Sequence, residues 1–468
     1  MRPPATSSRF PDRRFRRQAL VVLAALAAGI LPEGGAAAQD APRILPMRER
    51  AALVDRWLEI RFQTVLPEIM RRDGVDLWIV AAREYNEDPV IRTMLPYTWL
   101  AARRRTVLLF HDRGPEEGVE RLAVARYDIG GIPGAWNPET EPDQWARVAE
   151  LVRERAPQKI GLNRSRDFGL ADGLTATEYE ALVEALGPDL ASRLHDAETL
   201  AIAWLETRTP EEMAVYPGIV RLARTIISEG LSERAIQPGV TTTQDLSWWY
   251  RERIRELKLQ TWFQPGVSVQ RREGAMFGGD EGSQGDFSSR PPPDVILPGD
   301  LIHVDFGITY LRLNTDTQMH AYVLRPGETD APPGLQEAFS TGNRLQDILT
   351  DEFVSGRTGN EILAAALAQA EEEGIRASIY THPIGYHGHG AGPTIGLWDR
   401  QDGVPGKGDY PLFPMSAHSI ELNARVPIPE WDGQDVRIAL EEDALFDGES
   451  TWYIDPRMER LLLIPRPR

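Results

Sequence analysis

The chain has 468 residues, enough for two or three domains, and its 52 basic and 70 acidic side chains give a net charge of −18. This charge disfavours nucleic acids and anionic lipid surfaces as partners. The absence of cysteine excludes disulfides, thiolate metal sites and cysteine nucleophiles.

The first 38 residues have the layout of a secretory signal peptide. Arginines within residues 13–17 precede an apolar run at residues 19–31, and the small residues 36–38 provide a cleavage site. The apolar run is too short to span a bilayer, although an uncleaved anchor is the alternative. We expect an exported protein, periplasmic or secreted, that uses the general secretory or the twin-arginine route. Residues 1–38 carry a net charge of +4, so the mature chain would carry −22. Once the signal peptide is cleaved, we expect no membrane attachment.

Residues 45–195 alternate helical and strand-like patterns, which predicts a smaller α/β domain. An amphipathic helix over residues 47–73 ends at Gly74. We expect structural roles for the histidines of this domain, His111 and His195. The strand patterns lie at 75–82, 106–111 and 159–162, and the further helical patterns lie at 142–155 and 174–186.

The second half, residues 196–468, predicts an α+β domain that begins with a helix-rich connector. Thr209 and Pro210 form a good helix start, and another helix is predicted over residues 243–257. Residues 265–298 are rich in Gly, Ser, Asp and Pro, which predicts a long loop that either borders a site or is a surface insertion. Further helices are predicted at residues 333–350 and 358–374.

Two carboxylates, Asp305 and Asp316, lie on a predicted hairpin directly after this loop. Asp305 interrupts the apolar run of residues 301–304, where an isolated charge is costly to bury. A hairpin would bring the two acids together on one face, and like charges at that distance need a cation between them. We therefore expect a divalent metal site at this hairpin.

Further candidate ligands follow towards the C-terminus. The Gly-rich stretch THPIGYHGHGAGP, residues 381–393, holds three of the eight histidines, and Glu421 and Glu441 each interrupt an apolar run. Carboxylates and imidazoles suit divalent ions such as Mn, Zn, Co or Fe. Paired ions about 3.5–4 Å apart polarise a carbonyl and generate a hydroxide nucleophile at neutral pH. That chemistry is amide or ester hydrolysis.

Five segments in this order resemble the pita-bread metallopeptidases, the family of methionine aminopeptidase, aminopeptidase P and prolidase. The resemblance covers about residues 200–468, and the N-terminal half is similar to the extra domain of the aminopeptidase P, prolidase and creatinase branch. It implies an α+β pita-bread fold preceded by a smaller α/β domain. The segments are VDFG at Asp305, NTDT at Asp316, GHGAG at His389, SIELN at Glu421 and ALEED at Glu441.

The resemblance also implies a role for each ligand of a two-metal centre. Asp316 and Glu441 would bridge the ions. Asp305 would complete the shell of one ion, and His389 and Glu421 would complete that of the other. Glu421 would also orient or deprotonate the attacking water and activate it as the metal-bridging hydroxide.

Because three acids are consecutive at residues 441–443, the sequence does not decide which of the first two is the metal ligand. Glu442 is the alternative to Glu441. Asp443 is expected to support the ligands from outside the metal shell or to cap a turn.

Three helper histidines that the family's peptidases carry have no counterpart at the expected spacing. Counted from Asp305 and His389, these positions hold Ser288, Gly396 and Gly385. His382 and His387 are candidate catalytic donors in their place, although both could simply hydrogen-bond within the Gly-rich loop.

These observations predict an exported, dinuclear metal-dependent exopeptidase that acts on small peptides, with an Xaa-Pro bond near the N-terminus as the expected substrate. The resemblance implies a homodimer. One alternative is a different amide or ester hydrolase on the same scaffold. The other is a catalytically impaired, metal-stabilised binding protein, because helper histidines are missing. The native metal, the peptide length and the retention of proline specificity stay open.

Overall fold

The computed structural model describes residues 43–273 and 295–466. The predicted signal peptide and Ser288 lie outside these residues. Within them, no helix has both the length and the apolar character needed to cross a membrane.

The N-terminal half is built on a five-stranded mixed sheet with the order β3-β2-β1-β4-β5. Strands β1 to β3 pair antiparallel, whereas β4 and β5 join β1 in parallel. Successive residues of β1 point to opposite faces, so Trp78 and Leu77 pack into separate apolar clusters. The strands are β1 (Leu77–Arg83), β2 (Arg105–Asp112), β3 (Val119–Ala123), β4 (Ile160–Leu162) and β5 (Leu194–Asp196).

Helices cover this sheet, and the one predicted over residues 47–73 is in fact two. The break falls after Gln63 because Pro67, four residues on, would clash with the Gln63 carbonyl in a continuous helix. Gly74 ends the second helix in the left-handed conformation, with φ of 61°. The helices are α1 (Met47–Gln63), α2 (Val65–Asp73), α3 (Pro89–Met94), α4 (Gln144–Arg155) and α5 (Ala176–Ala191).

Four helices lead from this sheet into the second half. Thr209 caps α7 through a reciprocal capping box with Glu212, as the sequence predicted for this helix start. The boundary predicted between residues 195 and 196 stays a prediction. The helices are α6 (Glu198–Glu206), α7 (Pro210–Met213), α8 (Tyr216–Gly230) and α9 (Thr243–Glu256).

The second half contains a sheet of order β18-β10-β7-β6 that includes the predicted hairpin. Strands β7 and β10 pair antiparallel with Asp305 opposite Gln318, and Asp316 comes directly before β10. The short strands β8 and β9 form the tip of the hairpin. The strands are β6 (Gly266–Gln270), β7 (Leu301–Phe306), β8 (Thr309–Tyr310), β9 (Leu313–Asn314), β10 (Thr317–Val323) and β18 (Leu462–Ile464).

Two more sheets, β11-β14-β15 and β12-β13-β16-β17, complete this half together with two helices. Helix α10 lies close to β15 because Gly342 has no side chain: a Cβ there would be 2.8 Å from Leu440. The helices are α10 (Pro333–Asp351) and α11 (Gly359–Glu372). The strands are β11 (Arg376–Ile379), β12 (His382–Pro383), β13 (Ser416–Ser419), β14 (Leu422–Ile428), β15 (Gln434–Leu440), β16 (Asp443–Phe446) and β17 (Thr451–Tyr453).

The chain passes between these two sheets at two short breaks. One break separates β13 from β14 and contains Glu421, and the other separates β15 from β16 and contains Glu441. The sequence pattern placed both acids inside strands, whereas the structure places them where strands end. The change of sheet allows their side chains to point away from the strand faces towards a common centre.

Candidate metal centre

Three buried side chains from separate elements converge at the junction of these sheets. Asp316 precedes β10, His382 begins β12, and Glu441 lies between β15 and β16. One ligand atom from each lies within 4.8 Å of those of the other two. Two pairings hold the elements together: the Gln318 N–H donates to the Glu441 carbonyl at 3.0 Å, and His382 lies opposite Ser419.

The distances from His382 suit a shared ion better than hydrogen bonds. Its Nε2 lies 3.3 Å from Glu441 Oε1, 3.6 Å from Asp316 Oδ2 and 3.9 Å from Glu421 Oε2. Hydrogen bonds to oxygen are usually shorter than about 3.2 Å. Two donor atoms that are each about 2.0–2.2 Å from one ion lie roughly 3–3.6 Å apart. The arrangement therefore fits a divalent metal ion.

Orphaned polar atoms mark the same place. Asp305 Oδ1, Asp316 Oδ1 and His382 Nε2 are buried and have no hydrogen-bond partner among the described residues. Buried polar atoms are normally paired, because leaving one unpaired costs about 1–3 kcal/mol. Three unpaired atoms in one cluster, two of them carboxylate oxygens, are what a site for a cation requires.

The pKa shifts in this cluster show that ionisation of its acids is unfavourable without a cation. Burial raises the pKa of Asp305 to about 8, and the nearby Glu441 adds to the effect. Burial and Glu441 also raise the pKa of Asp316 and that of Glu421 well above the usual range. Burial alone would lower the pKa of His382, but Glu441 and Glu421 raise it to about 9. A bound divalent cation would reverse the shifts of the acids by favouring their ionised forms.

His389, the imidazole ligand expected from the sequence, lies beside this cluster and outside the converging trio. It is exposed, and its ring is perpendicular to that of His382 with the centroids 4.7 Å apart. Its other neighbour is Trp262, at 5.1 Å between ring centroids. His382, which the sequence suggested as a donor, occupies the central position.

His387 lies on the side of the Gly-rich loop that faces the N-terminal half. Its Nε2 is buried without a hydrogen-bond partner among the described residues. Burial lowers the pKa of His387 to about 4, and the nearby Arg92 of α3 contributes. His387 is therefore neutral at pH 7.

The structure distinguishes the three consecutive acids. Glu441 faces His382, whereas Glu442 points away and accepts a hydrogen bond from Arg224 Nη1 at 2.9 Å. Asp443 accepts the backbone N–H of Asp316 at 3.3 Å, so it supports the segment that carries a candidate ligand.

Sequence reasoning missed Gln318, which contacts two of the candidate ligands. Its Nε2 donates to Glu421 Oε1 at 2.6 Å and to Glu441 Oε2 at 3.0 Å. A signal was present, because Gln318 lies two residues after Asp316 and so projects to the same side of the chain.

A buried charge cluster lies under the Gly-rich loop. The guanidinium groups of Arg61 and Arg208 both lie over the ring of Tyr386, 4.9 and 4.5 Å from its centroid. The Tyr386 hydroxyl donates to Glu212, which also pairs with Arg61 at 3.3 Å. Arg61 belongs to α1, so this cluster connects the N-terminal half to the loop that carries the histidines.

The fold and this cluster of acids and histidine define a metallopeptidase of the pita-bread class, with a smaller domain in front. The predicted fold class is confirmed. The model of metallopeptidase family M24 matches residues 219–445, and in this region the chain is similar to that family. No curated protein sequence matches the chain.

Similar solved structures cover nearly the whole chain. An X-Pro aminopeptidase from Thermotoga maritima is 15% identical, covers 85% of this chain and 99% of its own, and has a TM-score of 0.59. An Xaa-Pro dipeptidase from Bacillus anthracis is 18% identical, covers 89% and 100%, and has a TM-score of 0.54. The N-terminal domain of the FACT complex subunit SPT16 from chickpea is 11% identical, covers 89% and 98%, and has a TM-score of 0.52. At these identities, the similarity shows the fold alone.

Proposed function

We propose that this protein is a metal-dependent exopeptidase that hydrolyses Xaa-Pro bonds near the N-terminus of small peptides. The observation that carries the proposal is the convergence of Asp316, His382 and Glu441, with unpaired buried atoms, in a chain that matches the model of family M24 over residues 219–445. The X-Pro aminopeptidase and the Xaa-Pro dipeptidase of the same fold support the substrate class.

In this proposal two divalent ions, of Mn, Zn, Co or Fe, are held by four acids and one imidazole. The acids are those expected from the sequence, Asp305, Asp316, Glu421 and Glu441, and the imidazole is that of His382. When bound, such ions polarise the peptide carbonyl and lower the pKa of water, which supplies the nucleophile.

The remaining chemistry belongs to the chain's own side chains. Glu421 is half-buried, and one of its oxygens is held by Gln318 while the other faces His382. It is therefore placed to orient the attacking water and to accept its proton. His389 follows His382 by seven residues, which is the spacing at which the resemblance expects a helper histidine after the ligand. Because its ring is exposed beside His382, its N–H can donate to the oxygen that becomes negative during attack.

Metal analysis combined with peptide hydrolysis tests the proposal. The purified mature chain should bind about two divalent ions and cleave Xaa-Pro dipeptides or tripeptides, and chelation should remove the activity. Peptides with Ala in place of Pro are the matched substrates for proline specificity. Fewer than one ion per chain would overturn the dinuclear centre.

Two variants separate the proposed roles of the histidines. His382→Ala should lose metal and activity together. His389→Ala should retain metal and lose catalytic rate, with kcat reduced about 10²–10³-fold if it is the main oxyanion donor. The opposite pattern would make His389 the ligand.

Export and assembly are part of the proposal. We place the mature protein in the periplasm or outside the cell on the basis of the sequence of residues 1–38, and we propose a homodimer. Signal cleavage is checked by N-terminal sequencing of the protein from the exported fraction, and the dimer by sedimentation of the mature chain.

A metal-stabilised binding protein is the second candidate. The observation that favours it is the same fold in the N-terminal domain of SPT16, a subunit of a complex. Two bound ions without cleavage of any peptide in the panel would support this function over the first.

A further inference from the structure

The side chain of Gln318 lies between two carboxylates of the proposed metal centre. Its Nε2 donates to Glu421 Oε1 at 2.6 Å and to Glu441 Oε2 at 3.0 Å. Carboxylates that bind a cation are ionised and only accept hydrogen bonds, so in the metal-bound centre the nitrogen of the amide and not its oxygen must face them. The two N–H bonds of one amide therefore contact two different candidate ligands.

The other end of the amide is fixed as well. Gln318 Oε1 lies 2.8 Å from His303 Nε2, which donates to it, and His303 belongs to the neighbouring strand β7. Gln318 itself is 4% exposed, and its backbone N–H donates to the Glu441 carbonyl at 3.0 Å. Because both ends of the amide and the backbone are bonded, the side chain has one orientation.

The hydrogen bonds divide the oxygens of each carboxylate into two kinds. Gln318 binds Glu421 Oε1 and Glu441 Oε2. The opposite oxygens, Glu421 Oε2 and Glu441 Oε1, are the ones that lie 3.9 and 3.3 Å from His382 Nε2. Glu441 Oε1 also accepts from Ser419 Oγ at 2.7 Å. One oxygen of each acid is thus held by the amide while the other is turned towards the centre of the site.

We propose that Gln318 is the positioning residue of the metal centre: it fixes the rotation of Glu421 and Glu441, and so prepares their inward oxygens to bind the ion. The inference rests on the proposed function, since it assigns a role towards a metal. Hydrogen bonds of this kind orient the ligands of metal sites, and their loss typically costs about 10–100-fold in metal affinity. A neutral amide provides them without adding charge to a cluster of acids.

Gln318→Met tests this role, because Met has a similar length and apolar stem but forms none of the three hydrogen bonds. Titration of Mn²⁺ into chelator-treated protein, followed by calorimetry, gives the affinity. The variant should bind Mn²⁺ about 10–100-fold more weakly than the wild type. Gln270→Met is the matched control: it loses two hydrogen bonds to the Arg437 backbone, of 2.7 and 2.8 Å, on strand β6. Its Mn²⁺ affinity should equal that of the wild type.

A second variant keeps the test decisive if Gln318→Met does not fold. His303→Phe retains a ring beside His320 but releases Gln318 Oε1, so it should weaken Mn²⁺ binding in the same direction and by less. Mn²⁺ binding by Gln318→Met as tight as that of the wild type, or tighter, would overturn the assignment. In the tighter case the amide competes with the ion for these oxygens. A wild-type chain that binds no Mn²⁺ would instead overturn the proposed function, so the two failures are distinguishable.

Discussion

Replacement of Glu212 by Gln tests whether the buried charge cluster holds the Gly-rich loop in place. The Glu212 carboxylate lies 3.3 Å from Arg61 Nη1 and 3.6 Å from Arg208 Nη1, and all three side chains are fully buried. It also accepts the hydroxyl of Tyr386 from the loop itself. Gln has the same shape but no charge, so the two guanidinium groups would remain buried without the carboxylate that lies 3.3 and 3.6 Å from them.

The expected loss follows from that geometry. Breaking a buried ion pair by removal of one partner costs about 3–5 kcal/mol, because an uncompensated charge stays in the interior. Glu212→Gln should therefore lower the free energy of unfolding by about 3–5 kcal/mol. Glu212→Ala should cost about 1 kcal/mol more, since Thr209 would also lose the carboxylate of its capping box.

Urea unfolding followed by circular dichroism at pH 7 measures these differences. The matched control is Glu211→Gln in the same helical turn, which is exposed and should change stability by less than about 0.5 kcal/mol. Burial alone would raise the pKa of Glu212, but Arg208 and Arg61 lower it below the usual value. The stabilisation is therefore present at neutral pH and is lost as pH falls through the pKa of the folded state, so wild type and variant should converge in acid. A loss under about 1 kcal/mol at pH 7 would refute the reasoning.

Three further changes have defined outcomes. Burial raises the pKa of Glu206 to about 7, despite the hydrogen bond from Tyr410. The contribution of Glu206 to the free energy of unfolding is therefore full below pH 4.5 and is lost as pH rises through 7. In urea unfolding, the stability of Glu206→Gln relative to the wild type should rise by about 2.5 kcal/mol between pH 5 and pH 8, and a constant difference would contradict the shift. Asp316→Asn removes an acid whose ionised form is disfavoured by burial and by the neighbouring Glu441, so it should raise the Tm of chelator-treated protein while abolishing both the metal-induced rise in Tm and peptide cleavage. Gly388→Ala would place a Cβ 2.3 Å from the Trp262 ring, which contacts the ring of His389. Displacement of these rings should lower kcat while metal content stays unchanged.

The sequence predicted the features that local patterns encode. Strand-like and helical patterns of apolar residues indicated the N-terminal sheet and its helices, and acids in apolar surroundings indicated Asp305, Asp316, Glu421 and Glu441 as candidate ligands. The breaks that contain Glu421 and Glu441 were missed because they arise where strands change sheets. That change depends on pairing with distant segments, as when the Ile420 N–H donates to the Glu442 carbonyl, and no local period reports it.

The assignment of the central histidine depended on one such distant pairing. Strand β12 has two residues, too few for a period-2 pattern, and it exists because His382 pairs opposite Ser419. The same Ser419 donates its hydroxyl to Glu441, so this pairing brings imidazole and carboxylate to one centre. Three histidines within eight residues of Gly-rich sequence offered no local reason to prefer His382 over His389.

The identity of the histidine ligand also decides whether a helper histidine is present. Counted from His389, the position seven residues on is Gly396, and a helper histidine is missing. Counted from His382, the same position is His389 itself, which the structure places beside its ring. Ser288 was reached by counting 17 residues back from Asp305, whereas the strand that pairs with β7 is Gly266–Gln270, so this sequence distance does not give the position next to Asp305 in the sheet. Two of the three departures that motivated an impaired binding protein were counted from His389, and the one at Gly396 disappears when His382 is the ligand; retention of metal by His389→Ala would support that choice.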